Sequence, residues 1–207
     1  MKKEDKVVYD NFLKIESREV DLGYTKKEME RVVHPGSVSV FITDTSSNNV
    51  IFVKQYRYPI EDYTLENVAG HIEEGETPEE AAIREVKEET GYIIEKDDLS
   101  LVGGFYRAPG YSTEKTYLFT CNVSERERVA ISEEGVEVVE MPVEKFLENP
   151  ISPVESISMA IYRYLFLLSM SSMMDSMMEA LLEDLVSEVE GPEEFSNLIM
   201  PQQKFEA

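Results

Sequence analysis

Thr77-Pro78-Glu79-Glu80 opens a segment that closes at Gly91, and these two ends fix a helix before anything else in the chain is read. Thr77 supplies a side-chain cap, Pro78 suits the first turn, where its missing N–H is not needed, and Glu80 completes a capping box. Gly91 ends the helix in a left-handed cap. About 13 residues lie between, a rod of about 20 Å. Ala81, Ala82 and Val86 are its expected packing positions. Glu85, Glu88 and Glu89 fall at relative positions 0, 3 and 4, so the helix crowds three carboxylates on one face. Like charges at that spacing repel, and a hard cation such as Mg²⁺ relieves the repulsion through the oxygen ligands it prefers. A solvated acidic face is the plainer reading; it fits Glu79 and Glu80 better than this trio.

Bulk properties narrow the field. The 207 residues suit one medium domain, alone or with a small appendage, and 42% apolar content with nine Phe and eleven Tyr supports a substantial core. A net charge of −22 leaves no basic stripe for phosphates, so no nucleic-acid partner is expected. The same charge repels an anionic small substrate from afar, and bound divalent cations would invert it locally. Arg163 interrupts the longest apolar run, Ile157 to Met170, so no membrane span is expected. The opening MKKEDKVVYD has no long apolar stretch, unlike a secretory signal. With Cys121 as the one cysteine, no intrachain disulfide or multi-cysteine zinc site can form, and a cytoplasmic location is expected.

Residues 7–32 alternate loosely and read as a meander of exposed strands. Ser37–Ile42 and Val50–Tyr56 flank the polar TDTSSNN as a hairpin, and Leu99–Phe105, Lys115–Cys121 and Val136–Met141 read as further strands. Pro142–Leu147 and Val154–Leu168 read as helices. Met174, Met177, Met178, Leu181, Leu182, Leu185 and Val189 make an apolar helical stripe. Nine acidic residues against one lysine lie between Asp175 and Ala207. The expected divisions are 1–35 as an N-terminal sheet, 36–168 as the main domain and 169–207 as an acidic, Met-rich extension.

Gly70, Glu76, Arg84, Glu85, Val86, Glu88, Glu89 and Gly91 together resemble the Nudix box, G-x5-E-x7-R-E-U-x-E-E-x-G-U with U a bulky aliphatic residue. Tyr92 departs from the last U. The resemblance implies an α/β fold, an α/β/α sandwich with a mixed sheet and the glutamate helix after the fourth or fifth strand. It also implies hydrolysis of a nucleoside diphosphate linked to another group. Glu85 and Glu89 would then be the principal metal ligands, with Glu88 shared or water-mediated and the Ala69 carbonyl completing the set. Mg²⁺ is the expected ion and Mn²⁺ the alternative. Arg84 and Glu76 take orienting roles.

Outside the box, VKQYRYP (Val53–Pro59), ENVAG (Glu66–Gly70) and FYRAPGYSTEKTYLF (Phe105–Phe119) resemble the ADP-ribose pyrophosphatase subgroup. That resemblance implies a phosphate-facing Arg57, a ribose-holding Glu114, and substrate contacts from Glu66, Arg107 and Gly110. It implies a homodimer built through the N-terminal sheet. The general base would be a glutamate of the loop Ile131–Gly135; register puts Glu134 first and Glu133 second, with Glu88 counted among the catalytic carboxylates. Val68 stands where the subgroup prefers proline. His71 also departs from its pattern and either touches phosphate or fills the loop. Cys121 and His34 read as packing and structural residues. A nucleotide-sugar pyrophosphatase acting on a compound such as GDP-mannose is the alternative enzyme, and a non-catalytic ADP-ribose sensor is the alternative from another class.

Overall fold

The first strands bury little of their apolar surface and pair mainly with one another. β1 (Lys6–Asp10), β2 (Lys14–Asp21) and β3 (Lys26–Val33) form an antiparallel sheet of three, the meander expected from the alternation. The computed structural model describes residues 5–148, which lie within one compact unit. The sequence-expected helix at Val154–Leu168, the methionine stripe and the 169–207 extension fall outside the described residues.

β4 (Ser37–Asp44) and β5 (Asn49–Arg57) pair as the expected hairpin, with Asp44 opposite Asn49. Its turn is organised by Asp44, whose carboxylate accepts from the Ser46 N–H at 3.0 Å and the Ser47 hydroxyl at 2.8 Å. β6 (Asp62–Glu66) and β7 (Val68–His71) follow, then the helix α1 (Pro78–Thr90). β8 (Leu99–Tyr106), β9 (Lys115–Asn122), β10 (Val136–Pro142) and the short helix α2 (Val143–Glu148) complete the described fold. α1 therefore follows the seventh strand rather than the fourth or fifth. The two extra strands come from DYTLE and VAGH, segments too short and too polar or glycine-bearing to show a strand's alternation.

Residue alternation builds an α/β/α sandwich around a mixed sheet of order β10-β5-β4-β9-β8. Val38, Val40 and Ile42 of β4 pack with Ile51, Val53 and Phe119 beneath Ala81, Ala82 and Val86 of α1. On the other face Phe41, Val50, Phe52 and Leu118 pack against Phe146 of α2. Each fully buried valine contributes about 1.5–3 kcal/mol, so α1 is held mainly by this apolar floor. β4 and β9 are parallel, whereas the remaining pairs are antiparallel.

The sheet forks between β4 and β5. β4 pairs with β5 only from Ile42 onward; over Ser37–Val40 its partner is β7. β5 in turn pairs with β6 over Val53–Arg57. The fork lets Arg57, Glu66 and the Ala69–His71 backbone face one opening beside α1.

Candidate active site

α1 begins and ends as its sequence requires. The Thr77 hydroxyl accepts from the Glu80 N–H at 3.3 Å, Glu80 accepts from the Thr77 N–H at 2.8 Å, and Gly91 closes the helix at φ 79°. With Ala81, Ala82 and Val86 buried below, Glu85 and Glu89 are driven inward: they are 7% and 2% exposed. They line an open cavity of about 1000 Å³ at the fork of the sheet.

Arg84 governs the acidic face of α1. Its Nε donates to Glu76 at 2.9 Å, its Nη1 to Glu85 at 2.6 Å and Glu88 at 3.0 Å, and its Nη2 to the His71 carbonyl at 2.8 Å. The planar five-donor fork suits this divergent set, as an ammonium would not. Glu88 is thereby drawn to Arg84, although it still lines the cavity. Glu89 receives the Ala69 N–H at 3.1 Å and, among the described residues, makes no ion pair.

The structure gathers a different trio from the one the helix spacing offered. Carboxylate oxygens of Glu85, Glu89 and Glu133 lie within 4.8 Å of one another. Of the two loop glutamates, Glu133 lines the cavity and Glu134 does not. Burial, then the charges of Glu133 and Glu85, push the Glu89 carboxyl up to about 9. Glu85 is also raised by burial, with Arg84 opposing. Glu85 and Glu89 are buried and resist ionising, so their end of this oxygen-only cluster lacks positive charge, and a hard divalent cation fits the donor set. Gly70 makes room for it: a Cβ there would lie 1.9 Å from Glu85 Oε1.

Cationic groups face this cluster across the cavity. Arg57 holds Glu66 through Nε at 2.7 Å and Nη2 at 2.9 Å, leaving Nη1 free of that pair. Burial raises the Glu66 carboxyl, but Arg57 and the Thr64 hydroxyl outweigh it and hold the group below its usual range. Arg107 donates to Glu114 at 3.3 Å, and Glu114 also accepts from the Ser37 hydroxyl at 2.9 Å. Arg57, Glu66, Arg107 and Glu114 all line the cavity, whereas Gly110 does not. His71 meets His34, Nε2 to Nε2, at 3.0 Å on the rim. Cys121 lies in the core, its thiol pushed up to about 11 by burial, as inert packing requires.

Ser37, Thr64 and Thr116 also line the polar walls, although no sequence motif marks them. Ser37 and Thr116 are register partners across the parallel pair β4–β9, with hydroxyls 2.7 Å apart. Nothing local in the sequence announces a pairing between residues that far apart.

The NUDIX domain model matches residues 33–160. The chain belongs to the NUDIX family. An ADP-ribose pyrophosphatase of Bacillus subtilis (strain 168) is 39% identical over 139 residues, covering 66% of this chain and 73% of that protein. A methanol dehydrogenase activator of Bacillus methanolicus is 35% identical over 139 residues, with the same 66% and 73% coverage. The crystal structure of an ADP compounds hydrolase superposes with a TM-score of 0.66 at 23% identity, covering 82% of this chain and 93% of that one. This last likeness establishes the fold.

Proposed function

We propose that the chain hydrolyses the diphosphate of ADP-ribose to AMP and ribose 5-phosphate, using Mg²⁺, with Mn²⁺ as a substitute. The observation that carries this reading is the convergence of Glu85, Glu89 and Glu133 in one cavity with Arg57 and Arg107. Glu85 and Glu89 would hold the metal, with the Ala69 carbonyl and Glu88 completing its surroundings. When bound, the divalent cation supplies positive charge that neutralises the diphosphate and acidifies the attacking water.

Glu133 takes the proton from that water, the role the sequence assigned first to Glu134; its place on the cavity wall beside Glu85 and Glu89 supports the exchange. The water oxygen forms a new bond to one phosphorus as the bridging P–O bond breaks, and the departing phosphate keeps the electron pair. Arg57, oriented by Glu66, offers its remaining N–H groups to the diphosphate, where charge accumulates in the transition state. Glu114 and Ser37 offer hydrogen bonds to the sugar hydroxyls, with Arg107 alongside.

The working unit is a cytoplasmic homodimer formed through the N-terminal sheet. Phe12 and Tyr24, 90% and 85% exposed there, support that reading, as do half-exposed Val7 and Tyr9. Among the described residues, no helix is long and apolar enough to cross a membrane.

Steady-state comparison of ADP-ribose, GDP-mannose, NADH and diadenosine polyphosphates tests the substrate. ADP-ribose should lead in kcat/KM by about tenfold or more, and EDTA should abolish turnover. A tenfold preference for GDP-mannose, or turnover indifferent to chelation, overturns the reading.

A further inference from the structure

The stretch 124–135, which carries Glu133, is fastened to the C-terminal end of α1 along its length. Ile93 N–H donates to the Glu127 carbonyl at 2.9 Å and Val129 N–H to the Gly91 carbonyl at 2.8 Å. The N–H groups of Ser132 and Glu133 both reach the Glu88 carbonyl at 3.2 Å. That carbonyl would ordinarily accept from Tyr92, four residues on. Here the Tyr92 N–H goes instead to the Thr90 hydroxyl at 3.3 Å, which leaves Glu88 open to the loop. Gly91 admits this approach, since a Cβ there would lie 2.1 Å from the Val129 carbonyl oxygen.

One side chain clamps the middle of the stretch. Arg128 Nε donates to the Thr90 carbonyl at 3.0 Å, and Nη1 reaches Glu140 on β10 at 3.1 Å. Its guanidinium carbon sits 5.0 Å from the centroid of the Tyr92 ring, within the range of a cation–π contact. Tyr92 is the position where the box ordinarily carries an aliphatic residue, which would offer no such face. The departure and the clamp therefore belong together.

We propose that Arg128, seated on Tyr92, is a positioning residue that locks this loop to α1 and so brings Glu133 beside Glu85 and Glu89. The proposal deepens the catalytic reading above and rests on Glu133 being the base. Arg128 is partly exposed and touches none of the three clustered carboxylates through a hydrogen bond or ion pair, so it acts through the loop backbone.

Hydrogen exchange and kinetics on the full chain test it together. In Arg128→Ala, the Ser132 and Glu133 amides should exchange about tenfold faster or more, while those in the middle of α1 are unchanged. Its kcat should fall about tenfold with KM held within about twofold. Tyr92→Phe keeps the ring face and loses only the phenol that also meets Arg128, so it should lose much less than Tyr92→Leu, which should mirror Arg128→Ala. In a Glu133→Gln background, adding Arg128→Ala should change kcat by less than about twofold, because both substitutions act through one group. Unchanged exchange at Ser132 and Glu133, or a full additive loss in the Glu133→Gln background, overturns the proposal. A Glu133→Gln variant with wild-type kcat instead overturns the general-base reading, and the exchange result then still decides whether Arg128 holds the loop.

Discussion

Glu85 packs so closely over Gly70 that a Cβ on the glycine would fall 1.9 Å from its Oε1 and 2.5 Å from its Oε2. The glycine is required by the carboxylate above it, since its own φ is not in the left-handed region. Gly70→Ala should therefore push aside the end of a flexible side chain rather than the backbone. Stability should change by less than about 1 kcal/mol, whereas kcat should fall about tenfold or more as Glu85 leaves the metal-binding position. Paired thermal melts and Mg²⁺ titrations of activity check this; wild-type kcat with Gly70→Ala sinks it.

Arg84 ties together Glu76, Glu85, Glu88 and the His71 carbonyl, joining the loop before α1 to the glutamate face. Burial opposes its charge, yet these carboxylates raise its pKa further, so it stays a cation throughout. Arg84→Lys keeps the charge and loses the fork. It should lose about 2–3 kcal/mol of stability, with Glu85 left partly unpaired in a buried setting. Urea denaturation at pH 7 provides the measurement, and a loss below about 0.5 kcal/mol would show that charge alone suffices.

How far these relationships could be read from sequence depended on their range along the chain. The caps of α1 at Thr77, Glu80 and Gly91 were legible because each involves residues within one helical turn. Ala81, Ala82 and Val86 were legible because helical spacing alone puts them on one face. The trio was only partly legible: spacing grouped Glu88 with Glu85 and Glu89, but Arg84 draws Glu88 away and Glu133 arrives from a loop. Whether Glu133 or Glu134 enters depends on which backbone N–H reaches the Glu88 carbonyl, a contact between residues 45 apart that no local pattern encodes. The fork that creates β6 and β7 was hidden for the same reason, since only pairing with β5 and β4 makes strands of them.

Arg57 and Glu66 stand at opposite ends of the β5–β6 ladder, opposite Asp62 and Val53 respectively, yet their side chains form a bidentate pair at the cavity wall. Arg57→Ala should raise KM for ADP-ribose about tenfold and strand Glu66 without its partner. Because the Glu66 carboxyl lies below its usual range in the fold, the stability it contributes is present above pH about 4.5 and lost as pH falls through its folded value. The variant should lose that contribution, so its stability should fall less steeply than the wild type's on acidification below pH about 5. Identical acid titrations of stability for the two proteins would refute the pairing as an energetic one.

Glu89 has the opposite linkage. In the metal-free fold its carboxyl is pushed up to about 9, against an ordinary value of 4.5, first by burial and then by Glu133. Between those values the folded chain binds the extra proton, so this contribution is intact below pH about 4.5 and declines as pH rises through the folded value. The decline is at most about 1.4 kcal/mol per pH unit for one group. In EDTA the wild type should lose stability steadily from pH 5 to 9, whereas Glu89→Gln, which carries no charge to bury, should lose less. Saturating Mg²⁺ should flatten the wild-type curve by supplying the counter-charge and should leave Glu89→Gln nearly unaffected, with most of its kcat gone. Thermal melts across that pH range, with and without Mg²⁺, separate the outcomes. Parallel curves for the two proteins, or a wild-type curve that ignores the ion, would mean that Glu89 is not where the charge is held.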